Sequence, residues 1–295
     1  MTSKRKEGAK GSFAKFKKGS RSDKKTGKIP EREDKEGEIK VTGVNACRAL
    51  FSKAREDIIR VYVTDEAKDL FKDLLFFCAK NKKAYHIVER LEMDAVTKSV
   101  HHENICILRK YRDNDLEEYL SHSEKIPGKP DIFILAESVA NPHNQGAVLR
   151  AAAHFGCRGI VFISRDQTCL SGSAYRTAEG GAEYVPFFYM EDIGAVLDRF
   201  VSHGYTIFGS SSHKGRNLYD MKFKKKSLIL FGAENSGLTK KALERCSQMI
   251  KIEGTGDVES LNVATSAALV LAEVRRQFLK CKPGPEGRNF LKPGN

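Results

Sequence analysis

The sequence has no apolar stretch long enough to cross a bilayer. Its longest apolar runs, such as Ala267 to Ala272, fall far short of the roughly 18 residues a membrane helix needs. It has no apolar segment behind its charged first residues, so no secretory signal is expected. The opening 30 residues use Lys more than Arg and few apolar side chains, which speaks against a transit peptide. Cys47, Cys78, Cys106, Cys157, Cys169, Cys246 and Cys281 are scattered singly, with no Cys-x-x-Cys and no Cys/His set at zinc-ligand spacing. That pattern excludes a disulfide framework and a zinc site, and reads as a reduced cytoplasmic protein without metal. No Gly-x-Gly-x-x-Gly follows a strand-like run, so a dinucleotide site is unsupported.

What is there in excess is positive charge, and it is unevenly placed. The 295 residues carry a net +13, of which residues 1–30 contribute +9 and residues 275–295 contribute +5, leaving −1 for residues 31–274. A histone-like protein, basic throughout, is excluded; a near-neutral folded body with a polycationic arm is expected. Residues 1–38 are Lys, Gly, Ser, Asp and Glu with almost no branched aliphatics, so a disordered basic tail is expected. Phe13 and Phe16 among its lysines fit base stacking, and a solvated solubility tail fits the composition equally well.

Periodicity begins near Ile39. Strand-like runs at Ile58–Thr64 and Asn104–Leu108 alternate with helical patterns at 45–54, 66–81 and 88–97, which predicts a small α/β domain over 39–112. Residues 113–130 are polar and end in Pro-Gly-Lys-Pro, which reads as a linker. A second α/β block over 131–280 follows. Its strands are expected at 131–137, 159–164, 185–189, 205–209, 228–232 and 249–252, and several are continuously apolar, as strands buried on both faces should be. Helices are expected at 146–155, 193–203, 240–246 and 263–279, before a C-terminal tail over 281–295.

Three strand-to-helix junctions carry chemistry-bearing residues. After the strand DIFILAE comes NPHNQGAVLRAAAHFG, with Asn144, Gly146 and Arg150. Arg150 there points toward the strand's C-terminal end, where open α/β sheets bind ligands, or is a surface charge behind an Asn144 cap. The second junction, LILFGAENSGLT, has the glycine spacing of a phosphate loop at Gly232 and Gly237, but Leu238-Thr239 stand where Lys-Ser/Thr is required. A nucleotide-hydrolase site therefore fails, and a Gly-rich loop with one carboxylate, Glu234, remains. At the third, Ser260-Leu261-Asn262 opens a helix rich in Ala264, Ala267, Ala268 and Ala272; Ser260 or Asn262 suits its N-cap.

In this order, the three segments resemble the signature motifs of the SpoU/TrmH family of RNA ribose 2′-O-methyltransferases. The resemblance covers 131–280 best; 39–112 is similar to the small ribosomal-protein-like substrate-binding domain ahead of many members. The basic tail and the SGSAYRTAEGGAEYVP stretch are similar to the YfiF subgroup. The resemblance implies a trefoil-knotted α/β methyltransferase domain, a homodimer, S-adenosylmethionine as methyl donor, and RNA, tRNA or rRNA, as partner. It places the cofactor against backbone at Gly232, Ile252 and Leu261, and the catalytic pocket at Asn144, Arg150, Glu234, Ser260 and Asn262. Glu253-Gly254 departs from the Pro-Met often found at that place. Arginine stays protonated, with a pKa above about 12, so Arg150 is read as a phosphate clamp and alkoxide stabiliser, with Glu234 holding its guanidinium, within the chain or across the dimer interface. The rival is a non-catalytic RNA-binding or ribosome-assembly protein derived from the family. His101, His102 and His143 are read as structural or exposed, and Tyr175 and Arg176 as RNA contacts or domain surface.

Overall fold

The computed structural model describes residues 37–111, 114–122 and 130–279. The expected tails over 1–38 and 281–295 lie outside the described residues, apart from the last two residues of the first. Two sheets are formed. The first half of the chain runs β1 (Glu38–Thr42), α1 (Val44–Lys53), β2 (Ile58–Thr64), α2 (Lys72–Lys80), β3 (Ala84–Val88), α3 (Arg90–Thr97), β4 (Ile105–Lys110) and α4 (Leu116–His122). Its strands make a mixed sheet of order β1-β4-β2-β3. Two of its strands escape the sequence pattern. β3, placed partly in a helix by periodicity, exposes four of its five residues, so it shows no alternation; β1 directly follows the charged tail.

The second half runs β5 (Asp131–Glu137), α5 (Pro142–Phe155), β6 (Gly159–Ile163), α6 (Gly172–Ala178), β7 (Phe187–Met190), α7 (Ile193–Ser202), β8 (Thr206–Ser210), β9 (Arg216–Asn217), β10 (Lys226–Phe231), α8 (Lys240–Leu243), β11 (Gln248–Lys251) and α9 (Val263–Phe278). The sheet order is β7-β6-β5-β10-β8-β11-β9, and among the described residues every strand pairing in it is parallel. β5, β6 and β10 are buried almost end to end, which is why their sequences are continuously apolar. From β5 the chain moves to β6; from β10 it moves the other way, to β11. The carboxyl ends of β5 and β10 therefore flank a topological switch point, the place where open parallel sheets form a ligand crevice.

The stretch expected as a linker contains α4, and the reason is burial. Leu116 is buried among the apolar side chains under α7, and the Tyr119 ring lies 5.4 Å from that of Phe188. The two sheets are not insulated from each other. Val61, Ile105 and Ile107 of the small sheet belong to the same apolar cluster as Ile134, Ile160 and Ile229 of the large one. At the seam Arg109 of β4 reaches Asp57 at 2.9 Å and Glu183, just before β7, at 2.5 Å, with all three side chains buried. Burial pulls the Arg109 guanidinium down, but the Glu183 and Asp57 carboxylates outweigh it and hold it above its usual value.

Candidate functional site

α5 starts at Pro142, four residues before the expected Gly146, because Asn141 caps it: the Asn141 side chain accepts from the His143 amide at 2.9 Å, and Pro142 supplies the preset φ. Asn144 is thus inside the first turn and is not the cap. Gly146 is required by a neighbour, since a Cβ there would lie 2.5 Å from the Ala174 carbonyl oxygen of α6. α9 is capped by Asn262, whose Oδ1 accepts from the Ala264 amide at 2.8 Å. That bond fixes the amide's orientation and turns Nδ2 outward.

The outward Nδ2 donates to Glu234 Oε1 at 3.0 Å and to Asn144 Oδ1 at 2.9 Å. Asn144 Nδ2 donates to the same Glu234 Oε1 at 2.9 Å. One residue from each of the three junctions therefore closes a ring of hydrogen bonds at the switch point between β5 and β10. Glu234 is exposed, so this polar ring faces solvent. Its loop is shaped by its own backbone. A Cβ at Gly232 would fall 2.1 Å from the Gly237 carbonyl carbon, and Gly237 is left-handed at φ +64° with its amide on the Ala233 carbonyl. Glycine at 232 is thus demanded first by loop closure.

Not every expected residue joins the ring. Arg150 lies six residues beyond Asn144 on α5 and is exposed. Within the chain, among the described residues, no hydrogen bond or ion pair links it to Glu234, which takes both amides. Ser260 is exposed on the loop before α9; Ile252 is half-buried, and Leu261 is 46% exposed. Glu253, at the place of departure from the family pattern, pairs with Lys251 at 3.1 Å. An open Gly-rich turn beside exposed apolar side chains, Val258 and Leu261, fits a ligand with an apolar ring and a backbone-bound polar edge.

Two supporting residues were missed in the sequence. Glu137, buried at the end of β5, accepts from the Thr239 amide at 3.0 Å and its hydroxyl at 2.7 Å, pinning the loop that carries Glu234. Gln145, buried next to Asn144, donates to the Val139 carbonyl and exchanges two bonds with Gln167. A carboxylate ending an apolar strand, and an amide inside an apolar helix face, were the available signals. The histidines divide as expected. His102 is buried, accepts the Asn104 amide on Nδ1, and so presents its Nε2 proton to Asp94 at 2.8 Å. His143 is exposed. Tyr175 is buried, with its phenol pushed up by that burial, so it is no surface contact. Arg176 ties α6 to the His101 carbonyl of the small sheet's side.

An all-parallel sheet with an Asn–Glu–Asn ring at its switch point, preceded by a small mixed sheet, defines a two-part α/β protein with a crevice at its strand ends. Residues 131–272 match the model of the SpoU rRNA methylase family, and residues 40–111 match that of the RNA 2′-O ribose methyltransferase substrate-binding family. The chain is 36% identical to the uncharacterized tRNA/rRNA methyltransferase YfiF of Escherichia coli O157:H7, over 83% of this chain and 70% of that one. It is 25% identical to the 23S rRNA (guanosine-2′-O-)-methyltransferase RlmB of Pseudomonas putida, over 81% of this chain and 96% of that one. Among solved structures, the SpoU methyltransferase AviRb of Streptomyces viridochromogenes, in complex with AdoMet, superposes with a TM-score of 0.68 at 20% identity, over 82% of this chain and 90% of that one. The chain belongs to the SpoU methylase family.

Proposed function

We propose that this protein is an S-adenosylmethionine-dependent RNA methyltransferase acting on the ribose 2′-hydroxyl of a tRNA or rRNA nucleotide. The observation that carries the reading is the ring of Asn144, Glu234 and Asn262, one residue from each family motif, closed at the switch point. The names of its relatives, tRNA/rRNA and 23S rRNA methyltransferases, support the substrate class. Residues 39–112 act as the substrate-binding domain and 131–280 as the methyltransferase domain.

The bound cofactor supplies a methyl group from its sulfonium. Backbone at Gly232, Ile252 and Leu261 would hold it, and the Leu261 side chain is exposed there. Transfer to an alcohol needs oxygen, methyl carbon and sulfur nearly in line, so positioning supplies much of the rate. Asn262, fixed at its Oδ1 by the α9 amides, orients Glu234 and Asn144 at the reacting face, with Ser260 beside it on the same loop. Arg150 clamps the phosphate next to the target ribose and stabilises the developing oxyanion. Glu234 of a second copy holds the exposed Arg150 guanidinium in place across a homodimer interface. The last segment crosses back from β11 to bring Asn262 to Asn144 and α9 to α5, which supports a trefoil knot. The protein works in the cytoplasm.

Calorimetric titration with S-adenosylmethionine tests the cofactor, and labelled methyl transfer to total RNA followed by alkaline hydrolysis tests the position. Label retained in hydrolysis-resistant dinucleotides is expected. Absence of cofactor binding favours the non-catalytic RNA-binding alternative, and label on bases refutes the ribose assignment.

A further inference from the structure

Between the two sheets, away from the Asn144–Glu234–Asn262 ring, lies a cleft of about 250 Å³ lined by parts of both halves of the chain. Its floor is the Arg109–Asp57–Glu183 triad, in which one guanidinium pairs with two carboxylates and leaves one negative charge at the base of the cleft, away from the cations on its rim. The remaining lining residues are different in kind. Tyr184 is 58% exposed, with the Lys53 ammonium 5.0 Å from its ring centroid. Lys110 is exposed at the end of β4, and Asn114 presents a side-chain amide that reaches the Phe187 carbonyl at 3.3 Å.

We propose that this cleft binds a single unpaired base of the RNA substrate, stacked against Tyr184, with Lys53 and Lys110 on the adjoining phosphates. The chemistry follows from the lining. The cleft is smaller than the roughly 300–1,000 Å³ of sites that enclose whole drug-sized ligands, so it accepts one planar ring system and leaves the sugar and phosphate outside. An aromatic face gives sequence-tolerant stacking, and neighbouring cations follow the backbone. The buried triad holds both walls in register, so the cleft is formed before the ligand arrives. The inference rests on the reading of the protein as an RNA methyltransferase and adds a nucleotide position distinct from the one that is modified.

The test uses the full chain with single-stranded oligonucleotides carrying 4-thiouridine, photo-crosslinked and mapped by mass spectrometry. Adducts are expected at Tyr184 or its immediate neighbours. Tyr184→Ala should weaken oligonucleotide binding about tenfold, the size of one lost stacking contact, while Tyr184→Phe should keep it. Lys53→Ala should weaken binding and flatten its salt dependence. Both positions are on the surface of the cleft, and cofactor titration of each variant should match that of the unaltered chain. Adducts confined to other regions together with an unchanged affinity for Tyr184→Ala overturn the cleft and leave the methyltransferase reading standing. Uridine monophosphate binding as tightly as the oligonucleotide also overturns it, since a free nucleotide would then be the ligand. Failure of the unaltered chain to bind RNA overturns both readings.

Discussion

Asn144 and Glu234 are 90 residues apart in sequence, and their side chains meet at 2.9 Å. The amide of Asn144 leaves α5 at the end of β5; the carboxylate of Glu234 leaves the loop after β10. They meet because β5 and β10 are parallel neighbours in register, with Ala136 opposite Phe231. Asn262 completes the contact from the third junction, and its two amide atoms do separate jobs: one caps α9, the other binds the ring.

That division predicts a separation of stability from activity. Asn262→Ala should lose the cap, costing about 1 kcal/mol, and methyl transfer together. Asn262→Asp keeps an acceptor for the α9 amides but sets a second carboxylate against Glu234. Its melting temperature should stay within about 2 °C of the unaltered protein while methyl transfer is abolished. Thermal melts alongside the labelled-methyl assay read both, and an active Asp variant would show that the amide is dispensable.

Arg150→Lys retains the charge and loses the planar fork. Cofactor affinity should be unchanged and methyl transfer should fall at least about a hundredfold, the size of a lost oxyanion donor. Full activity in the lysine variant would refute the clamp.

Arg109→Met leaves Asp57 and Glu183 buried without their cation, an imbalance of the kind that costs about 3–5 kcal/mol. At about 2–4 °C per kcal/mol for a chain of this size, calorimetry should record a melting temperature lower by roughly 10 °C. Replacing the triad with Asp57→Leu, Arg109→Met and Glu183→Leu together should recover most of it. A single variant as stable as the parent would remove the triad from the account of the seam.

Burial pushes the Cys157 thiol from its ordinary 9.0 up to about 12 and the Cys246 thiol up to about 11. Both are neutral in the folded state at pH values where the unfolded chain already ionises them. The stability they contribute is complete below pH 9 and is lost as pH rises through 11 and 12. Urea midpoints should hold level up to pH 9 and fall above it, and a midpoint that rose in this window would contradict the assignment.

Residues 1–30, which carry +9, should govern the salt dependence of non-specific RNA binding. Each phosphate contact removed lowers the log–log slope by about 0.7 for single strands. Truncation should flatten the slope by several units, and an unchanged slope would assign the arm to solubility.

The large sheet was legible because β5, β6 and β10 are buried on both faces and read as unbroken apolar runs. The ring was legible as three separate motifs, each at a strand-to-helix junction. Its wiring was not: Glu234 takes the amides of Asn144 and Asn262, a choice made by strand order, which no local pattern encodes. β3 was hidden by its exposure, and α4 by its polar neighbours, since Leu116 alone carries much of its burial. The seam was invisible for the same reason as the ring's wiring. Asp57, Arg109 and Glu183 are isolated charges until the fold brings them across 52 and 74 residues.

The shared core and the buried triad make the two sheets one body. A protein built this way acts as a fixed caliper. On the proposed reading, the span between the Tyr184 cleft and the Asn144–Glu234–Asn262 ring is set by the packing of the seam, so an RNA bound at both must supply the right distance by its own shape. Selectivity then becomes a question of which folded RNAs can place a ribose and a gripping point that far apart, and lengthening or shortening a substrate stem should move the modified nucleotide without any change to the enzyme.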